Sequence, residues 1–185
     1  MLIGLALVVC LCAVRLLGGR VTAIADLRFA AVPAVLVAIA LQVVIITLVP
    51  GGSPALHQLA HVASYCCAGW FLWANRRLPG MVLIAAGGAS NLLAIAANGG
   101  VMPASAGALR AAGRRAHDDA FLNSAAVAHP HLLFLGDVVP TPSALPFANV
   151  FSIGDVLLVA GAFVLMLSAS RAGVMEPEAP LLRST

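Results

Sequence analysis

The sequence predicts an all-α membrane protein of about five transmembrane helices, with one long extracytoplasmic loop between the fourth and the fifth. Three observations carry this prediction. Of 185 residues, 62% are hydrophobic and 9% charged, with a mean hydropathy of +1.04, a balance that ordinary soluble globules do not have. Five apolar runs approach the roughly 20 residues that a spanning helix needs. Polar and small residues gather instead in one stretch, 99–151, between the last two runs. Residues 1–170 are thus expected to form one multi-pass domain. Residues 171–185, with Glu176-Pro177-Glu178-Ala179-Pro180, are expected to be a disordered cytoplasmic tail.

The first run, Leu2–Leu17, is short and closes at Gly18-Gly19, with Arg15 snorkelling from its last turn. No basic residue precedes it and no small-residue cleavage site follows, which argues against a removed signal peptide. The second run is Phe29–Val49, ending at Pro50, and the uncharged turn Pro50-Gly51-Gly52-Ser53-Pro54 leads into the third, Leu56–Trp73. The fourth is Met81–Ala97. Its Ala85-Ala86-Gly87-Gly88-Ala89-Ser90 suits close helix contact, because lipid offers no hydrophobic drive and association depends on small-residue packing. The fifth is Ile153–Ala169.

Orientation follows from the arginines, which are retained on the cytoplasmic side of short loops. Arg15, Arg20 and Arg28 lie between runs one and two, and Arg76-Arg77 between runs three and four. The N-terminus is therefore expected outside and the C-terminus inside the bacterial cytoplasmic membrane. Trp70 and Trp73 then fall at the inner interface, where amphipathic rings are favoured.

All ten basic residues are arginine, scattered in ones and twos, so no stripe exists to track nucleic-acid phosphates. Cys10, Cys12, Cys66 and Cys67 lie in apolar runs without redox or zinc spacing. Walker, dinucleotide-binding, Gly-x-Ser-x-Gly and His-Glu-x-x-His signatures are absent, and no cofactor or metal is assigned. His57 and His61, one helical turn apart, read as interfacial histidines. His117-Asp118-Asp119 with His129-Pro130-His131 matches no zinc pattern.

Ionisable residues at membrane depth are the natural candidates for chemistry. Asp155 opens the fifth run, and Ser152-x-x-Asp155 has the form of a capping box. The same carboxylate can also serve as a catalytic group. Asn91 and Asn98 stand seven apart on one helix face, suited to interhelical hydrogen bonds; Asn98-Gly99-Gly100 with Pro103 also reads as a helix stop. The apolar stretch Leu132–Leu135 is expected to dip toward the bundle and carry Asp137 with it. Asp137 and Asp155 would then meet as an acid/base pair.

Asn75-Arg76-Arg77-Leu78-Pro79-Gly80, Asn91, Asn98-Gly99-Gly100-Val101-Met102-Pro103-Ala104-Ser105, Ala108-Leu109-Arg110, Phe134-Leu135-Gly136-Asp137-Val138-Val139-Pro140 and Ser152-Ile153-Gly154-Asp155 together resemble a bacterial membrane-protein family catalogued as domain of unknown function 5317. The resemblance runs from the first helix to about Ala169. It implies that these positions carry the family's motifs, and it implies no activity. Separately, Pro146-Phe147-Ala148-Asn149-Val150 with Ser152 and Gly161 is similar to the last motif of lipoprotein signal peptidase, an intramembrane aspartyl enzyme. Ser152 stands where that motif has its aspartate. Asp137 and Asp155 are accordingly the candidate catalytic residues, and Asn91, Asn98, Met102, Pro103, Asn149 and Ser152 the candidate binding residues. The leading expectation is a non-catalytic accessory, assembly or interaction subunit whose partners are the bilayer and other membrane subunits. The alternatives are a hydrolase of lipid or lipoprotein, and a small-solute carrier or channel.

Overall fold

The computed structural model describes residues 2–48, 53–113, 124–125, 129–144 and 148–172. Its long helices are α1 (Leu2–Leu16), α2 (Val32–Val43), α3 (Pro54–Ala74), α4 (Met81–Ala97) and α6 (Ile153–Ala172), with a six-residue α5 (Ala106–Ala111) between the last two. Five apolar runs have become five helices, yet among the described residues only Ile153–Arg171 is both long and apolar enough to cross a bilayer by length and composition. The expectation of five full-length spans is corrected to that extent. Phe29–Val49 shortens most: α2 starts after Ala31, whose φ of 54° is left-handed, and gives way to a π-turn over Val44–Leu48.

The second correction concerns strands. The expected all-α fold contains four very short ones among the described residues: β1 (Met102–Pro103) parallel to β2 (Ser124–Ala125), and β3 (Asp137–Pro140) antiparallel to β4 (Val150–Ser152). Segments of two to four residues are too brief for a period-two pattern to emerge from sequence.

The bundle is built from two antiparallel pairs. In the first, α2 lies on α3; Phe29 and Phe71 place their ring centroids 5.7 Å apart and Gln42 Nε2 donates to the buried Ser64 hydroxyl. In the second, α4 lies on α6 so closely that their glycines face one another. A Cβ on Gly87 would stand 2.5 Å from the Gly154 carbonyl oxygen, and one on Gly161 would stand 2.7 Å from that of Gly80. The two contacts sit seven residues apart on each helix, two turns along one face. The close approach expected of the fourth helix is thus made by Gly87, while Gly88 meets nothing within 4 Å. On the far side of α6, α1 is tied in by the Arg20 amide, which donates to the Ser170 carbonyl at 3.3 Å.

Between α4 and α6 the chain forms a small cap. The N-cap Ser105 accepts from the Ala108 amide, and Ala108 of α5 and its C-cap Ala112 are buried against Val150 of β4. A 3-10 turn over Leu133–Leu135 packs on α4 and α6, as expected of this apolar stretch, but Phe134 remains 62% exposed. His117-Asp118-Asp119, the turn 50–52, Pro146-Phe147 and the tail beyond Ala172 lie outside the described residues.

Candidate functional site

The glycine contacts decide what meets toward the C-terminal end of α4. Gly154 has no side chain, and a Cβ there would strike the Asn91 amide. That space lets Asn91 reach across from α4 to the first turn of α6. Asn91 Nδ2 donates to Asp155 Oδ1 at 2.9 Å, and the Ser152 hydroxyl donates to Asn91 Oδ1 at 2.9 Å. The capping box anticipated from Ser152-x-x-Asp155 completes the arrangement: the Asp155 amide donates to Ser152 Oγ at 2.9 Å and the Ser152 amide to Asp155 Oδ2 at 3.1 Å. Asn91, Ser152 and Asp155 therefore form a closed ring. Within it both carboxylate oxygens of Asp155 accept a bond, and the Ser152 hydroxyl donates one and accepts one.

Asp137 is brought to the same place by strand pairing. It is the register partner of Ser152, so the two side chains share a face of the β3–β4 pair, and both residues are buried. The Ser105 amide donates to the Asp137 carbonyl at 3.0 Å, and Gly136 leaves room for the carbonyl of Pro103. Met102 and Pro103 are buried beneath this edge. They support Asp137 through its neighbours. Asn149 occupies the other end of the hairpin, where its backbone amide and carbonyl both bond Thr141. Its side-chain Oδ1 is buried without a hydrogen-bond partner among the described residues.

Asn98 does not join the ring, although it was expected to share a face with Asn91. As the C-cap of α4, followed by Gly99 and Gly100 at φ of 67° and 94°, it turns to clasp the cap. Its Nδ2 donates to the carbonyls of Ala94 and His131, both at 2.7 Å, and its Oδ1 accepts from the His131 amide at 2.9 Å. Asn75, at the end of α3, does the same to Ala30: its Oδ1 accepts from the Ala30 amide at 2.8 Å, and its Nδ2 donates to the carbonyls of Ala30 and Phe71, each at 2.8 Å. In both cases the clasped residue precedes a left-handed one, Leu132 or Ala31. Sequence reasoning assigned Asn75 no role; the shared signal was an asparagine at a helix end followed within a few residues by glycine and proline. Replacing Asn98 by alanine is expected to cost about 1 kcal/mol, since the bonds are partly wet. Limited proteolysis should then cut between residues 99 and 151 sooner than in the parent.

Two apolar grooves flank the ring. One, of about 530 Å³, runs between α3 and α4 and includes Asn91 in its wall. The other, of about 390 Å³, lies between α1 and α6, with Asp155 beside Cys10, Phe151 and Phe163. The ring is thus the polar link between two apolar clefts. Among the described residues no group of three His, Cys, Asp or Glu side chains gathers as a metal ion requires.

No curated protein and no solved structure matches the chain. The model of a family of unknown function, DUF5317, matches residues 26–167, which include α2, α3, α4, the cap and most of α6. The chain belongs to the DUF5317 family.

Proposed function

We propose that this chain is a multi-pass protein of the bacterial cytoplasmic membrane, with its N-terminus outside, acting as a non-catalytic accessory, assembly or interaction subunit through its extracytoplasmic cap. The observation that carries the reading is the closed ring: each oxygen of Asp155 already accepts a hydrogen bond, one from Asn91 Nδ2 and the other from the Ser152 amide. A catalytic carboxylate needs an oxygen turned toward substrate. Residues 1–170 serve as the membrane domain and 171–185 as a cytoplasmic tail. Helices of 15 to 17 residues such as α1 and α4 are about 23 to 26 Å long, and local thinning with snorkelling of Arg15 accommodates them. The broad exposure of apolar residues on α2 and α3, Leu36, Ile39, Leu59 and Val62 among them, fits a lipid-facing surface.

The hydrolase reading draws on the placement of Asp137 and Asp155 on either side of buried Ser152. It stays second because Asp155 is engaged at both oxygens. A carrier path through Asn91, Asn98 and Asp155 has less support, since Asn98 turns to the cap instead.

Among the described residues of the cap Phe134 is the exposed aromatic, and it is the natural anchor for a partner. Gentle detergent purification of the tagged protein should yield a co-purifying membrane subunit, and Phe134→Ser should reduce its recovery about tenfold. A protein that emerges alone at every stage overturns the accessory reading.

A further inference from the structure

The groove between α3 and α4 has a feature the cap does not explain: nothing in the described chain fills it. Small residues open it on both sides, Ala68 and Gly69 on α3 and Ala85, Gly88 and Ala89 on α4, between larger apolar side chains such as Leu72 and Leu92. A Cβ on Gly69 or Gly88 would meet nothing within 4 Å. Here glycine does not permit helix contact, as Gly87 does against α6; it widens a cleft. Met81 and Ile95 both line the cleft, so it follows α4 for 14 residues, about 21 Å. One leaflet of hydrocarbon is roughly 15 Å thick, so an acyl chain fits lengthwise.

The end of the cleft is not neutral. Arg76 lines it, its guanidinium lying 4.2 Å from the centroid of the Trp73 ring, and Arg77 is exposed beside it. Arg76 Nη1 donates to the Trp73 carbonyl at 2.8 Å, which leaves four of its five N–H donors for another acceptor. A cation held on an aromatic face at the mouth of an apolar cleft is complementary to an anionic head group on an acyl chain.

We infer that the α3–α4 groove is a binding site for an anionic glycerophospholipid of the inner leaflet, with its acyl chain along Gly69 and Gly88 and its phosphate at Arg76 and Arg77. The inference rests on the membrane reading proposed above. It differs from a general lipid-facing surface in requiring a preference for head-group charge. Trp73 lines the groove and Trp70 does not, so each can report separately.

The test reconstitutes full-length Trp70→Phe protein into vesicles of phosphatidylcholine containing a minor fraction of either phosphatidylglycerol or phosphatidylcholine brominated on its acyl chains. Bromine quenches Trp73 fluorescence only at close range. Brominated phosphatidylglycerol should quench the more strongly, its apparent affinity for the groove higher by about fivefold for each arginine engaged. Arg76→Gln should lose about fivefold of that preference, and Arg76→Lys, which keeps the charge, should retain most of it. Gly88→Leu, which fills the cleft, should reduce quenching by both lipids. The Trp73→Phe protein, reporting through Trp70, should show no preference. Equal quenching by the two lipids, or a preference that survives Arg76→Gln combined with Arg77→Gln, overturns the site and leaves the membrane reading standing. Weak quenching by both lipids in the parent means that a protein helix occupies the cleft, which also overturns it. Protein that does not float with the vesicles overturns the membrane reading together with this inference.

Discussion

Gly87→Ala is expected to destabilise the protein by about 1–3 kcal/mol, whereas Gly88→Ala, one residue further along the same helix, is expected to stabilise it by about 0.5–1 kcal/mol. The opposite signs follow from what each new methyl group meets. At Gly87 it is driven to 2.5 Å from the Gly154 carbonyl oxygen and 2.9 Å from the Leu158 nitrogen, both backbone atoms of α6 that no rotamer change can move. At Gly88 it enters the open cleft, and only the gain in helix propensity remains. Gly161→Ala should behave like Gly87→Ala, since its Cβ would approach the backbone of Gly80 and Ile84 at 2.7 and 2.8 Å. If the contacts act as one seam, the combined Gly87→Ala and Gly161→Ala protein will cost less than the sum of the two, because helices already forced apart are strained only once. Thermal unfolding of all four proteins in one detergent decides the matter. Equal melting temperatures for Gly87→Ala and Gly88→Ala would mean that the α4–α6 seam is not where this bundle is held.

The contrast between these two glycines also marks how far the sequence could be read. Local chemistry was legible: α4 occupies Met81–Ala97 as its apolar run indicates, Ser152 and Asp155 cap α6, and Asn98-Gly99-Gly100 stops α4. Each of these depends on neighbours within a few residues, where propensity and capping rules apply. What each glycine faces depends on α6, more than 60 residues away in sequence, and a run such as Ala86-Gly87-Gly88-Ala89 carries no mark of it. The left-handed Ala31 is hidden for a different reason. Phe29–Leu41 carries no polar side chain, and hydropathy cannot register a backbone turn held by an asparagine 45 positions later. Asp155 shows both limits together. Its cap was predicted from the residue three before it, while its second partner, Asn91, comes from 64 positions away and appears only once the helices are paired.

That second partner allows Asp155 to be tested as structure or as chemistry. Asp155→Asn alone should cost about 1–3 kcal/mol even though it removes a charge. Both Asp155 oxygens now accept, one from Asn91 Nδ2 and the other from the Ser152 amide. An amide at 155 must turn its NH₂ toward one of these donors, leaving donor against donor in a part-buried site. Asn91→Asp alone should cost more, since it sets two carboxylates against each other beside buried Ser152. Combining the two reverses the donor and acceptor across the same contact. The new carboxylate at 91 accepts from the Ser152 hydroxyl and from the new amide at 155, whose oxygen accepts from the Ser152 amide, so every group regains a partner. Stability should return to within about 1 kcal/mol of the parent, the remainder being the lost charge in the first turn of α6. The same exchange separates the two functional readings. An accessory subunit needs the ring intact and should recover its partner and its complementation of a null strain. A hydrolase needs carboxylates at both 137 and 155, so a stable double variant that fails to complement would put the chemistry at Asp155 after all.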